Sequence, residues 1–145
     1  MNFEAAGMTE VFIDTSGWAV FFLRSESFHA TAEALMRSWR SDGTLAVTSN
    51  YVLSELVALF SSPIRVPRPR VIEIIEAIVT SRHVEVVHID AGLHERAWML
   101  LKSRSDKAWS LVDCTSFVVM SERRILDALT TDKHFEQAGY HRLLK

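Results

Sequence analysis

Val11-Phe12-Ile13-Asp14-Thr15-Ser16 is the stretch on which the fold turns. Three large apolar β-formers with no polar residue among them make a short strand buried on both faces. The run stops at an acid. Thr15-Ser16 then offers a helix N-cap ahead of the apolar segment 18–23. An acid at the carboxyl end of a buried first strand stands where open α/β sheets place their chemistry. The rest of the chain decides whether other groups reach Asp14.

Outward from this stretch, strand and helix patterns alternate. Phe28, Ala32, Leu35, Met36 and Trp39 follow helical spacing, and Asp42-Gly43 ends that helix. Leu45-Ala46-Val47 reads as a second strand. Thr48-Ser49-Asn50 caps a helix striped by Val52, Leu56, Leu59 and Phe60, with Glu55 beside the stripe. All three prolines fall in 61–69, and a helix resumes over 71–79. A third strand is expected over 83–89, after which Asp90 caps a helix over 91–104. Ser110-Leu111-Val112-Asp113 matches the S-x-x-D capping box and opens a helix containing Cys114, Phe117, Val118 and Met120. A fourth strand follows over 125–130, Gly139 makes a turn, and 141–144 adds a short edge strand. This order predicts an α/β fold: a short, mostly parallel central sheet of four or five strands, flanked by helices on both faces. Residues 1–145 are expected to form a single domain.

Composition narrows the class. Hydrophobic content of 48% and charged content of 23% suit a packed core rather than a disordered chain. A net charge of −2 does not advertise nucleic-acid binding, although a local basic stripe can act alone. Cys114 is the only cysteine, so no disulfide can form within the chain and no cysteine-based zinc site exists. The six histidines show no metal-binding spacing. The apolar runs fall short of the roughly 20 residues needed to span a bilayer, and residues 1–10 show no signal-peptide pattern. A reducing, cytoplasmic setting without a membrane partner is expected.

Four acids stand out by position. Asp14 and Asp132 each follow a buried strand, and parallel strands put both on one edge of the sheet. Neighbouring strands lie about 4.8 Å apart, close enough for two carboxylates to share an ion. Asp113 begins the helix before the fourth strand, and Glu55 lies early in the helix after the second, which brings both to the same edge. Clustered carboxylates repel, and a hard divalent cation relieves them. A crevice of carboxylates without His or Cys ligands therefore points to metal-dependent phosphodiester hydrolysis.

These residues resemble a known family. Phe12-Ile13-Asp14-Thr15-Ser16, Ser54-Glu55, Trp109-Ser110-Leu111-Val112-Asp113-Cys114-Thr115-Ser116-Phe117 and Leu129-Thr130-Thr131-Asp132-Lys133-His134-Phe135 are similar, in order and spacing, to PIN-domain ribonucleases of the VapC toxin type. The resemblance spans 11–144. It implies Mg²⁺ or Mn²⁺ held by Asp14, Glu55, Asp113 and Asp132, with Ser16, Ser110 and Thr131 orienting these carboxylates or their waters. It also implies RNA as substrate, a homodimer and a cognate antitoxin that covers the crevice.

Arg65, Arg68, Arg70 and Lys133 are candidate RNA or partner contacts, since phosphates need such charge. Lys102, Arg104 and Lys107 could extend that surface. Trp109 could stack a base or pack, and packing is the commoner role for a tryptophan. His134 reads as packing or hydrogen bonding beside Asp132 and not as a metal ligand, and Cys114 as a core thiol. Three other readings compete. A haloacid-dehalogenase-type phosphotransferase wants Asp-x-Asp, and Ser16 stands at the second position. A phosphoreceiver module would use Asp90 and leaves the other acids unexplained. A non-catalytic RNA- or protein-binding module would keep only the fold.

Overall fold

In the computed structural model, which describes residues 9–145, five strands form one all-parallel sheet. They are β1 (Glu10–Ile13), β2 (Leu45–Ser49), β3 (Val84–Val87), β4 (Asp127–Leu129) and β5 (His141–Arg142), in the spatial order β3-β2-β1-β4-β5. The described helices are α1 (Thr15–Phe22), α2 (His29–Asp42), α3 (Asn50–Ser61), α4 (Arg68–Thr80), α5 (Ala91–Ser103), α6 (Leu111–Arg123) and α7 (Lys133–Gln137). Successive strand residues face opposite sides of a sheet. Val11, Phe12 and Ile13 are all buried, so both faces of β1 are covered, as are those of β2 along Ala46–Ser49.

Register sets the position of the acids. Ile13 pairs with Leu129 and Phe12 with Val47, and the Asp14 N–H donates to the Leu129 carbonyl at 3.2 Å. From β1 the chain moves to one side for β2 and β3, then returns to lay β4 on the other side. The crevice beyond the carboxyl ends of β1 and β4 is thus a topological switch point, where open α/β sheets bind ligands.

Local chemistry accounts for most element ends. Ser49 Oγ accepts from Val52 N–H, and Asp90 Oδ1 from Leu93 N–H. Gly43, in the left-handed region at φ 83°, closes α2. Ser110 and Asp113 form the complete capping box. The first helix departs from expectation. It begins at Thr15 rather than 18, so the cap position falls to Asp14 and not to Thr15 or Ser16. The Asp14 backbone stays extended (φ −85°, ψ 171°), and its side chain makes no capping bond. Its carboxylate is thereby left for the crevice. β3 and β4 are shorter than the expected 83–89 and 125–130, because ladder pairing with the neighbouring strand covers only part of each apolar run.

Phe12 stacks on Phe135, which meets Phe117 edge to face at 4.9 Å, joining β1, α7 and α6 in one aromatic column. At the opposite end of the sheet, the half-buried Arg123 of α6 donates to Glu10 on β1 and to Glu85 on β3 at 2.9–3.0 Å, spanning β2. Arg123→Met leaves two carboxylates unpaired. Screening limits the loss to about 1–2 kcal/mol, read as a lower urea midpoint; an unchanged midpoint would show that the clamp contributes nothing.

Candidate active site

The four acids reach one cleft of about 470 Å³ at the switch point. Asp14 comes from the end of β1, Glu55 from the second turn of α3, Asp113 from the first turn of α6 and Asp132 from the turn before α7. Ser16, Ser110, Thr131 and His134 line the same cleft.

Each carboxylate has one oxygen anchored by the protein. Thr130 Oγ1 donates to Asp14 Oδ2 at 3.0 Å, and Thr15 Oγ1 donates to Glu55 Oε1. Asp113 Oδ2 accepts the Ser110 N–H at 3.0 Å and lies 3.0 Å from His134 Nδ1. Asp132 Oδ1 accepts the His134 N–H at 2.9 Å. The second oxygen of each acid accepts from no side chain among the described residues. Ser16 and Thr130 tie α1 to the turn after β4: their hydroxyls are 3.1 Å apart, the Thr131 N–H donates to Ser16 Oγ, and the Asp132 N–H donates to Thr130 Oγ1.

Burial governs the electrostatics. Asp14 is only 4% exposed, and its carboxyl is pushed up to about 7. Desolvation is the largest cause; the Thr15 N–H and Thr130 hydroxyl pull it down, and the charges of Asp113 and Glu55 push it up again. A cation in the cleft reverses that balance. The donors fit a hard divalent ion: four carboxylates, each with an oxygen to spare. One ligand atom from each of Asp113, Asp132 and His134 also lies within 4.8 Å of the others.

A PIN domain family model matches residues 11–139. The chain belongs to the PIN-domain family. It is 36% identical over 130 residues to the 23S rRNA-specific endonuclease VapC20 of Mycobacterium tuberculosis, spanning 90% of this chain and 95% of the relative. The crystal structure of that VapC20, described as a sarcin–ricin loop cleaving toxin, superposes with a TM-score of 0.79 at 35% identity, over 90% of this chain and 95% of the other. VapBC2 from Rickettsia felis, bound to a promoter DNA fragment, shares the fold at a TM-score of 0.64 and 10% identity, over 92% and 96% of the two chains.

Several groups lie away from the acidic cleft of this PIN protein. Arg65, Arg68 and Arg70 are exposed and do not line it; Arg70 pairs with Glu73 at 3.4 Å. Lys133 is exposed beside Asp132. Trp109 takes the packing role. It is 8% exposed, lies edge to face with Phe117 at 5.0 Å, donates Nε1–H to Gln137 and is covered by the Arg104 guanidinium at 5.1 Å. A concavity of about 390 Å³ around it contains none of the four acids. Cys114 is fully buried and its thiol is pushed up to about 11, chiefly by burial, which suits a core residue and not a nucleophile. Asp90, the phosphoreceiver candidate, spends its carboxylate on capping α5.

Two supporting groups escaped the sequence reading as site residues: Thr130 and His134. The available signal was hydroxyls standing where a buried apolar run stops. Among the described residues, no helix is long and apolar enough to cross a membrane.

Proposed function

We propose that this PIN protein is a divalent-metal-dependent endoribonuclease acting as the toxin of a toxin–antitoxin pair. On this reading it is a single-domain cytoplasmic protein that forms a homodimer and is silenced by a cognate antitoxin. The observation that carries the reading is the convergence of Asp14, Glu55, Asp113 and Asp132 in one cleft, each with one oxygen fixed and one to spare. The identity with VapC20 supports RNA as substrate and the sarcin–ricin loop of 23S rRNA as its target.

Asp14, Glu55, Asp113 and Asp132 would hold Mg²⁺ or Mn²⁺. Such an ion, when bound, makes a coordinated water more acidic and shields the charge that develops on the phosphate. The protein's part is orientation. Thr130 sets the Asp14 carboxylate, Thr15 sets Glu55, and Ser110 with His134 sets Asp113. Because these residues lie on, or directly flank, the strands and helices of the sheet edge, little reorganisation remains for the reaction. Ser16 and Thr131 act one step further out by holding the β4 turn against α1.

The test is incubation of the purified protein with a sarcin–ricin loop RNA hairpin. A single cut is expected with Mg²⁺ or Mn²⁺ and none with EDTA. No cut with either metal, or an undiminished cut in EDTA, would sink the reading. The same ion should raise the melting temperature, because it binds the folded cleft alone; at 100 times its dissociation constant the gain is about 2.7 kcal/mol. A melting curve indifferent to millimolar Mg²⁺ and Mn²⁺ would count against a preformed site.

A further inference from the structure

A second hollow of about 430 Å³ adjoins the acidic cleft, lined by Tyr51, Ser54, Glu55, Ala58, Leu111 and Val112. Glu55 lines both, so the two spaces meet at that side chain. Their chemistry differs. The first is built of carboxylates. The second has an aromatic ring from the first turn of α3 and two branched aliphatic side chains from the start of α6. No basic side chain lines it among the described residues, so phosphate binding is not its use.

Tyr51 is held in place from behind. Its hydroxyl shares a 2.8 Å hydrogen bond with His94 Nδ1 on α5, and the two rings meet edge to face with centroids 6.0 Å apart. The half-buried ring therefore loses little further freedom when something lies against it. The short side chains of Ser54 and Ala58, both exposed on α3, leave the space beside it open.

One nucleotide pairs a charged phosphate with a flat, largely apolar base. A cation-holding cleft next to an apolar hollow with a fixed aromatic ring matches that pairing. The geometry points to the Tyr51 hollow as a nucleobase subsite, which takes the base of a nucleotide flanking the phosphate at the acidic cleft. Tyr51 then contacts the base and fixes its position. This assignment rests on the RNA-cleaving reading of the cleft.

The experiment is a double-mutant cycle between protein and substrate. Sarcin–ricin loop hairpins, intact or with an abasic nucleotide placed in turn at each position around the cut, are cleaved by the parent, Tyr51→Phe, Tyr51→Ala and Ala58→Leu proteins. Tyr51→Ala should lower kcat/KM about 10- to 100-fold, mostly through KM, as loss of one base stack does. Tyr51→Phe keeps the ring and most of the activity. Ala58→Leu fills the hollow from an exposed helix position without risk to the core, and should reproduce the loss. One abasic position should weaken the parent by the same factor and leave Tyr51→Ala unchanged. Equal responses of parent and Tyr51→Ala at every abasic position overturn the subsite, as do Tyr51→Ala and Ala58→Leu proteins that cleave like the parent. Variants that lose only antitoxin affinity make the hollow a protein-docking surface, which also overturns it. If the parent cuts no hairpin, the nuclease reading fails by itself. Quenching of 2-aminopurine in the same hairpin, seen with Asp14→Asn and lost in Asp14→Asn/Tyr51→Ala, would still establish the subsite; no quenching would end it.

Discussion

Asp14→Asn is expected to abolish RNA cleavage and, in metal-free protein, to raise the melting temperature. Both effects follow from one buried carboxyl. Asp14 is 4% exposed and carries the charges of Asp113 and Glu55 nearby, with burial the larger effect. Its folded-state pKa of about 7 lies above the free value of 3.8. The protonated form is thus favoured in the fold. That contribution is fully present below pH 3.8, declines as pH rises, and is gone above about 7. The full difference is about 4 kcal/mol; half of it would move the midpoint by about 4–8 °C at this size. Asparagine is neutral at every pH and can still accept from Thr130. Its advantage should therefore be largest at pH 8 and shrink to about two-fifths of that at pH 5. Activity should fall at least about 100-fold, the scale set by removing one preorganised charged group. Thermal melts in EDTA at the two pH values, together with a cleavage assay, decide the matter. A variant no more stable than the parent at pH 8 would show that the buried charge is relieved by something other than a bound cation. Undiminished cleavage would remove Asp14 from the catalytic set.

Among the described glycines, Gly17→Ala should be the most damaging substitution. A Cβ built at Gly17 falls 2.0 Å from the Leu129 carbonyl oxygen, the same oxygen that accepts the Asp14 N–H. The obstacle is backbone of β4, paired in register with β1, and cannot swing aside. Alanine is the better helix former by about 1 kcal/mol, so a change of propensity alone would stabilise α1. The clash must exceed that gain for the sign to reverse. Lifting α1 off the sheet carries Thr15 and Ser16 away from Glu55 and Thr131. A net loss of about 3 kcal/mol is expected, at the upper end for overpacking, together with loss of cleavage. Melting temperature and activity measured together test it; a Gly17→Ala protein as stable as the parent would mean that α1 does not press on β4 as closely as these contacts require.

Legibility differed sharply between kinds of residue. Caps and turns are local, and Ser49, Asp90, the Ser110–Asp113 box and Gly43 act in the structure as their neighbours in sequence imply. Asp14 was legible because an acid directly after three buried apolar residues needs a reason. Thr130 was not, since a threonine after a strand is ordinary until its hydroxyl is seen to serve a carboxylate 116 positions earlier. Trp109 offered a ring that could stack or pack, and only the positions of Phe117, Gln137 and Arg104 chose packing. The hollow beside Glu55 left no pattern at all, because Tyr51, Leu111 and His94 lie on three separate helices.

By itself the sequence determined the alternation of strand and helix, the burial of β1, most of the helix starts and the acids themselves. These depend on spacing, propensity and capping within a few residues. The tertiary structure decided that β4 lies beside β1, that four acids from distant segments share one cleft, and which donor holds each of them. Strand order is a global outcome of chain closure and two-sided burial. No local pattern encodes it, and the site exists only where that order brings the carboxyl ends of β1 and β4 together.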